Sequence, residues 1–303
     1  MELHALHHVT MITADATENV AFYAELLGLR LVKQTVNFDM PEAYHLYFAD
    51  EQGSPGAILT WFEFPGVPRG EAGVGMIHRL ELGVAGEPAL AFWKDRLDAA
   101  GYPATEVDGG LRFADYDGLE LELQGDTHKN PPLVARAPDV PEAFAIQGVQ
   151  GARAFAADPG SARELLVDVL GFDHKRDDEY VLGAGDRHVH WGYDVSDKRG
   201  REGAGTVHHI AWHSPDDQHA AWQQRARAGG QHVTPIIDRD YFKSIYFRTR
   251  QGILFEIATT SPGFAVDEDP EHLGEALRLP TQHEHLREHL ERRLTPLTNP
   301  RAR

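Results

Sequence analysis

Apolar and polar residues alternate along this chain in short runs of period two, broken by longer runs of helical period, and the same succession returns four times. Leu6-His7-His8-Val9-Thr10-Met11-Ile12 has the form of a strand, followed by a helix over residues 20–27 that is entered at Asp15 and stopped at Gly28. Strand-like segments follow at residues 29–36, 43–49 and 57–64. Far downstream Asp158, a helical run over residues 162–170 and Gly171 repeat that phrase, with Asp and Gly again 13 residues apart. A second pair matches as closely: strands at residues 77–82 and 207–212 lead to helices whose Trp93 and Trp222 each lie eight residues before a closing Gly101 or Gly230. Further strands are predicted at residues 104–107, 110–114, 119–123, 173–175, 179–182, 188–193, 232–237, 244–248 and 253–259.

The unit is therefore strand, helix, three strands, beginning near residues 4, 76, 146 and 205. Such a unit has one apolar sheet face and must pair with another to bury it. The expected class is α+β, with four βαβββ modules forming two open barrel-like mixed sheets. Residues 1–127 make an N-terminal half of modules 1 and 2, residues 128–145 a proline-rich linker, and residues 146–264 a C-terminal half of modules 3 and 4. Residues 265–303 form a tail with one amphipathic helix over 284–294 and a basic, proline-containing end expected to be mobile. His285 and His289 share a face of that helix among Arg and Glu neighbours, which suits a solvated surface better than a ligand pair.

Composition narrows the partners. With 42% apolar and 25% charged residues the chain is of the soluble globular type, and its formal charge of -18 makes nucleic acid and anionic membrane poor partners. Absence of cysteine excludes disulfides and thiolate metal sites. No basic-plus-apolar leader opens the chain and no apolar run reaches the roughly 20 residues of a membrane span, so a cytoplasmic location is expected.

Chemistry gathers in residues 205–264 and at the chain start. Alternation sets Glu256 into the strand Leu254-Phe255-Glu256-Ile257-Ala258, apolar on both sides, where a carboxylate needs a proton, an ion-pair partner or a metal. His209, in the strand Val207-His208-His209-Ile210, is the obvious companion, and the His7-His8 strand has the same form. Two neutral imidazoles and one carboxylate suit non-haem Fe(II) with open coordination positions. A hydrogen-bonded His–Glu pair in the core is the alternative on these residues alone.

Four such units, with His in the opening strands of the first and fourth and Glu in the last strand, resemble the vicinal oxygen chelate superfamily of glyoxalases, bleomycin resistance proteins and extradiol dioxygenases. Within it, Gly205-Thr206-Val207-His208-His209-Ile210-Ala211, the run from Asp238-Arg239-Asp240-Tyr241 to Tyr246-Phe247-Arg248, and Leu254-Phe255-Glu256-Ile257-Ala258-Thr259 look like the hydroquinone-type ring-cleaving dioxygenases. The resemblance implies an extradiol-like enzyme acting on a small hydroquinone- or catechol-type aromatic and O2, with Fe(II), or Mn(II), held by His8, His209 and Glu256. It places His7, Thr10, His208, Arg239 and Tyr246 around that metal. Thr10 shares a strand face with His8, whereas in a regular strand His7 and His208 point away, so their part requires a bulge, a twist or side-chain reach.

The His position falls on Arg79 in the second unit and on Gly148 in the third, so only the first and fourth units can build a metal site together. Modules 1+4 are therefore predicted to share one sheet and modules 2+3 the other. Two rival activities use the same scaffold. A glyoxalase-I-like isomerase needs a fourth ligand near Thr60, for which Glu63 is the nearby carboxylate, and a metal-free binding protein needs none. The chain is also compatible with a homo-oligomer.

Overall fold

The computed structural model describes residues 1–125 and 128–302. The first unit contains β1 (Leu6–Thr13), α1 (Ala16–Val20), β2 (Arg30–Val36), β3 (Tyr44–Ala49) and β4 (Ile58–Glu63). The second contains β5 (Ile77–Val84), α2 (Glu87–Ala99), β6 (Thr105–Val107), β7 (Gly110–Ala114) and β8 (Glu120–Gly125). In the third, β9 (Val149–Ala156) leads through a 3-10 turn and a π-helical stretch to β10 (Asp173–Arg176), β11 (Glu179–Ala184) and β12 (Arg187–Val195). The fourth contains β13 (Val207–His213), α3 (His219–Ala228), β14 (Ile237–Asp238), β15 (Lys243–Arg248) and β16 (Leu254–Ala258).

The caps of the two related helices differ. Asp15 accepts the backbone N–H groups of Thr17 and Glu18 at 2.8 and 3.1 Å and starts α1, which continues as a π-helical turn over Ala21–Leu26. Asp158, expected to cap in the same way, does not do so through its side chain. Pro159 follows it, and the tight 3-10 turn is closed by the backbone carbonyl of Asp158, which accepts from Ser161 N at 3.2 Å. The strand predicted over 232–237 shrinks to Ile237–Asp238. Pro235 has no N–H to give a ladder, and the Thr234 side chain accepts the Tyr246 N–H instead.

Two eight-stranded sheets result, ordered β14-β15-β16-β13-β1-β4-β3-β2 and β10-β11-β12-β9-β5-β8-β7-β6. Units one and four share the first sheet and units two and three the second, as the ligand positions predicted. In each, the opening strands of two units meet antiparallel at the centre, and each is flanked by its own unit's last strand in parallel. The faces turned away from the candidate ligands pack against each other, with Trp212 and Phe255 meeting Trp191 at ring distances of 5.7 and 5.4 Å. Trp93 and Trp222, the repeated helix tryptophans, are both buried, each a residue whose truncation costs about 3–5 kcal/mol.

The tail folds back over β2. Lys33, fully buried, donates to Asp267 at 2.6 Å and to Glu268, and Asn299 donates to the carbonyls of Leu31 and Gly274, both at 3.0 Å. The basic end expected to be mobile is therefore docked: Asn299 is 2% exposed and Arg301 binds the Glu51 carboxylate. The tail helix, α4 (Arg287–Arg293), is shorter than predicted because its first turns are 3-10, and His285 and His289 lie on its exposed side. The segment 128–145 joins β8 to β9 within one sheet, and the boundary expected after residue 127 falls on Asp126 and Thr127, outside the described residues.

Candidate metal centre

Register at the centre of the first sheet explains how four histidines reach one place. On β1, Leu6 faces Trp212 and His8 faces Ala211, so His7 is an extra, unpaired residue. On β13, His209 faces Thr10 and Val207 faces Met11, so His208 is extra in the same way. These two bulges are the irregularity that His7 and His208 required, and they hold each pair of adjacent imidazoles together. His7 Nδ1 lies 2.8 Å from His8 Nδ1, and His208 Nδ1 lies 2.7 Å from His209 Nδ1.

Only one proton fits between two such nitrogens, and burial decides where the outer rings stand. Burial and the neighbouring His8 hold His7 well below the usual imidazole range, and burial and His209 bring His208 down to about 4. Neutral His7 and His208 can therefore accept from His8 and His209 through Nδ1. That tautomer turns a lone pair on both inner Nε2 atoms towards Glu256. Its Oε2 lies 3.3 Å from His8 Nε2 and 3.0 Å from His209 Nε2, while the two Nε2 atoms are 3.3 Å apart.

Glu256 is fully buried. Burial pushes its carboxyl upward, but a proton on the imidazoles facing it overcomes this and holds it well below the usual range. Its Oε1 accepts from Ser244 Oγ, whereas Oε2 has no well-aligned hydrogen-bond donor despite the short distances to both rings. His8 Nε2, His209 Nε2 and a Glu256 carboxylate oxygen, three buried atoms within 4.8 Å of one another, make a group of the kind that can hold a metal ion. The residues fit a divalent metal. Phe242 packs against this cluster, 4.9 Å from His7 and 5.2 Å from His8 between ring centres.

A cavity of about 570 Å³ opens from the cluster, with Ile12, Phe38, Phe62, Phe64, Ile237 and Leu254 among its apolar walls. Arg239 and Tyr246 line it too. Arg239 Nε donates to Tyr246 Oη at 3.3 Å, and its Nη1 lies 3.6 Å from Asp39. Burial and the Glu256 charge push the Tyr246 phenol far up, so it stays protonated and can donate. Thr10 lies beside His8 on the strand and opposite His209. Ser244, His45 and Tyr47 also belong here and were not singled out from the sequence. Alternation along β15 could have found Ser244, two residues from Tyr246 on the same face.

Glu63, the candidate fourth ligand, is spent elsewhere: its Oε1 accepts the Ala16 N–H at 3.0 Å. In the second sheet the bulged residues are His78 and Gln150, which makes Arg79 and Gly151 the counterparts of His8 and His209. Gly148, the counterpart counted along the sequence, precedes the bulge and is corrected to Gly151. There the Arg79 guanidinium sits 3.4 Å from Glu122, so a covalently attached cation stands where the first sheet has a metal-donor set.

The Glyoxalase/Bleomycin resistance protein/Dioxygenase superfamily model matches residues 5–123 and 149–257, covering both sheets. The chain belongs to this superfamily. Among the superfamily's proteins, the provisionally named ring-cleaving dioxygenase MhqO of Bacillus subtilis is 40% identical over 96% of both chains. The chlorohydroquinone/hydroquinone 1,2-dioxygenase of Sphingobium indicum is 29% identical over 95% of both. A crystal structure of a provisionally named dioxygenase from Bacillus subtilis superposes with a TM-score of 0.90 at 40% identity, covering 98% of each chain. Glyoxalase I from Zea mays shares the fold, with a TM-score of 0.60 at 14% identity over 85% of this chain and 92% of its own. Among the described residues no helix is long and apolar enough to cross a membrane.

Proposed function

We propose that this protein is a metal-dependent ring-cleaving dioxygenase of hydroquinone- or catechol-type aromatics. The observation that carries the reading is a buried cluster of two histidines and a single carboxylate, with no fourth protein donor among the described residues, beside a largely apolar cavity. The relatives named for aromatic ring cleavage support it. Fe(II) held by His8, His209 and Glu256, with Mn(II) as the other candidate, would bind a phenolic oxygen and dioxygen side by side and let electrons pass between them. The balance closes without an external reductant: one ring carbon–carbon bond beside a hydroxyl-bearing carbon breaks, as in extradiol cleavage, and both oxygen atoms enter the product.

Around that chemistry the chain's own residues have separate tasks. His7 and His208 accept from the outer nitrogens of His8 and His209 and so fix the ligand tautomers. Ser244 holds the second oxygen of Glu256. Tyr246 keeps its proton and donates to substrate oxygen, and Arg239 beside it attracts a phenolate while orienting the Tyr246 hydroxyl. Phe62, 5.4 Å from His208 between ring centres, provides an aromatic wall for the ring. The isomerase reading lacks its fourth ligand, since Thr60 carries no carboxylate and Glu63 caps α1.

The test is anaerobic reconstitution with Fe(II), then addition of oxygenated buffer with hydroquinone or catechol. Stoichiometric oxygen uptake, with both atoms of labelled dioxygen in a ring-opened acid, is the expected result. Absence of uptake, or isomerisation of a thiol–ketoaldehyde adduct with Ni(II), would overturn the reading.

A further inference from the structure

The side of the cluster facing away from Glu256 has its own built arrangement. In β16, Glu256 pairs with Ala211 of β13 and Tyr246 of β15; in β4, Thr60 pairs with Thr10 of β1 and Tyr47 of β3. Thr60 is thus the counterpart of Glu256 about the centre of the sheet, Tyr47 that of Tyr246, and His45 that of Ser244. Where Ser244 bonds Glu256, His45 bonds Thr60.

These residues form one chain of hydrogen bonds: Tyr47 Oη to His45 Nδ1 at 3.0 Å, His45 Nε2 to Thr60 Oγ1 at 2.7 Å, and Thr60 Oγ1 to Thr10 Oγ1 at 3.1 Å. Its direction is fixed at the Tyr47 end. Tyr47 is 1% exposed, packed against Phe264, and burial pushes its phenol far up, so it keeps its proton. Among the described residues His45 Nδ1 is the acceptor for that proton, and the reverse order would strand a hydroxyl hydrogen in an apolar cluster. Burial keeps the His45 ring neutral. Nε2 then carries the hydrogen, Thr60 passes its own to Thr10, and the Thr10 hydroxyl proton has no acceptor among the described residues.

We propose that His45 is a positioning residue for the substrate: acting through Thr60, it leaves the buried Thr10 hydroxyl as a donor aimed at an anionic oxygen bound beside His8 and His209, opposite Glu256. The ring also lines the cavity, 4.4 Å from Phe62 between centres, so the same residue bounds the space for the aromatic. This rests on the dioxygenase reading, and it adds that the bound phenol is held as phenolate by a neutral hydroxyl donor as well as by the metal.

The experiment titrates the Fe(II)-loaded protein anaerobically with 4-nitrocatechol, following its visible absorption, with iron content measured on the same samples. His45→Phe keeps an aromatic ring against Phe62 but removes both nitrogens; it is expected to weaken binding about 10-fold or more, the range for a lost hydrogen bond to a charged group. Thr60→Val should do the same, and the double variant should be no weaker than either single one, because both interrupt one chain. His45→Gln, which can accept from Tyr47 and donate to Thr60, should stay within about threefold of the parent if orientation is the role. Iron should remain equal to the parent's throughout. Unchanged binding in His45→Phe, loss of iron with it, or equal weakening by Gln and Phe overturns the relay alone. An unsubstituted protein that takes up no iron or no nitrocatechol overturns the dioxygenase reading and the relay with it.

Discussion

Thr60→Glu tests the claim that one empty carboxylate position separates this site from a four-ligand one. The new carboxylate would stand in β4 where Glu256 stands in β16, at a position that is fully buried. Without a cation it is an unpaired buried charge, with a cost of about 3–5 kcal/mol. At ~2.1 cal/mol/K per residue, and with the 303-residue chain as one cooperative unit, the unfolding entropy is about 0.6 kcal/mol per degree. The metal-stripped variant should therefore melt about 5–8 °C below the stripped parent. Zn(II) or Ni(II) should recover most of that difference, because the carboxylate then has a partner, and dioxygen uptake by the Fe(II)-loaded variant should fall to background. Differential scanning calorimetry with and without metal, and an oxygen electrode, read both effects. A stripped variant that melts with the parent, or a loaded one that still consumes oxygen at the parental rate, would refute the equivalence of Thr60 and Glu256.

Elemental analysis should find one metal ion per chain, lost in Glu256→Gln; two per chain would contradict the argument that Arg79 replaces the cation in the second sheet. Burial lowers His190, but Glu179 and Glu81 on either side overcome this and push it up to about 9. A folded value above the unfolded one of ~6.5 means stability that is complete below that value and is lost as pH rises through about 9, a change of about 3 kcal/mol. Urea titrations of the parent and His190→Gln should diverge over that window and no other, and parallel curves would sink the assignment. Lys33→Met leaves Glu268, 2% exposed, without its main partner and should destabilise by about 3–5 kcal/mol in urea, whereas Lys33→Met with Glu268→Leu should recover most of it.

How much of this was legible depended on whether a residue announces itself by breaking a pattern. Glu256 does, because Phe255 and Ile257 flank it and no partner is near in sequence; His8 and His209 do, as members of a His-His pair repeated at the start of two related units. The pairing of units followed from them. His7 and His208 could be named but not oriented, because a bulge adds one residue without disturbing the apolar spacing on either side. For the same reason counting along the chain arrived at Gly148 where the register gives Gly151. His45 was invisible: between Tyr44 and Tyr47 it is one more ring in an aromatic strand, and its meaning comes from facing Thr60 and Thr10 across two neighbouring strands. Asp158 failed as a cap because the proline after it changed the turn.

The nesting of the two sheets sets an order on synthesis at the ribosome. Every strand of the second sheet lies between residues 77 and 195, whereas the first draws on both ends of the chain and lacks its carboxylate donor until Glu256 has been made. A partly translated polypeptide can thus complete one lobe while the cluster of His8, His209 and Glu256 is still unassembled. A cation that needs all three donors finds them together only after both ends of the chain, and with them the walls of the adjoining cavity, have been made.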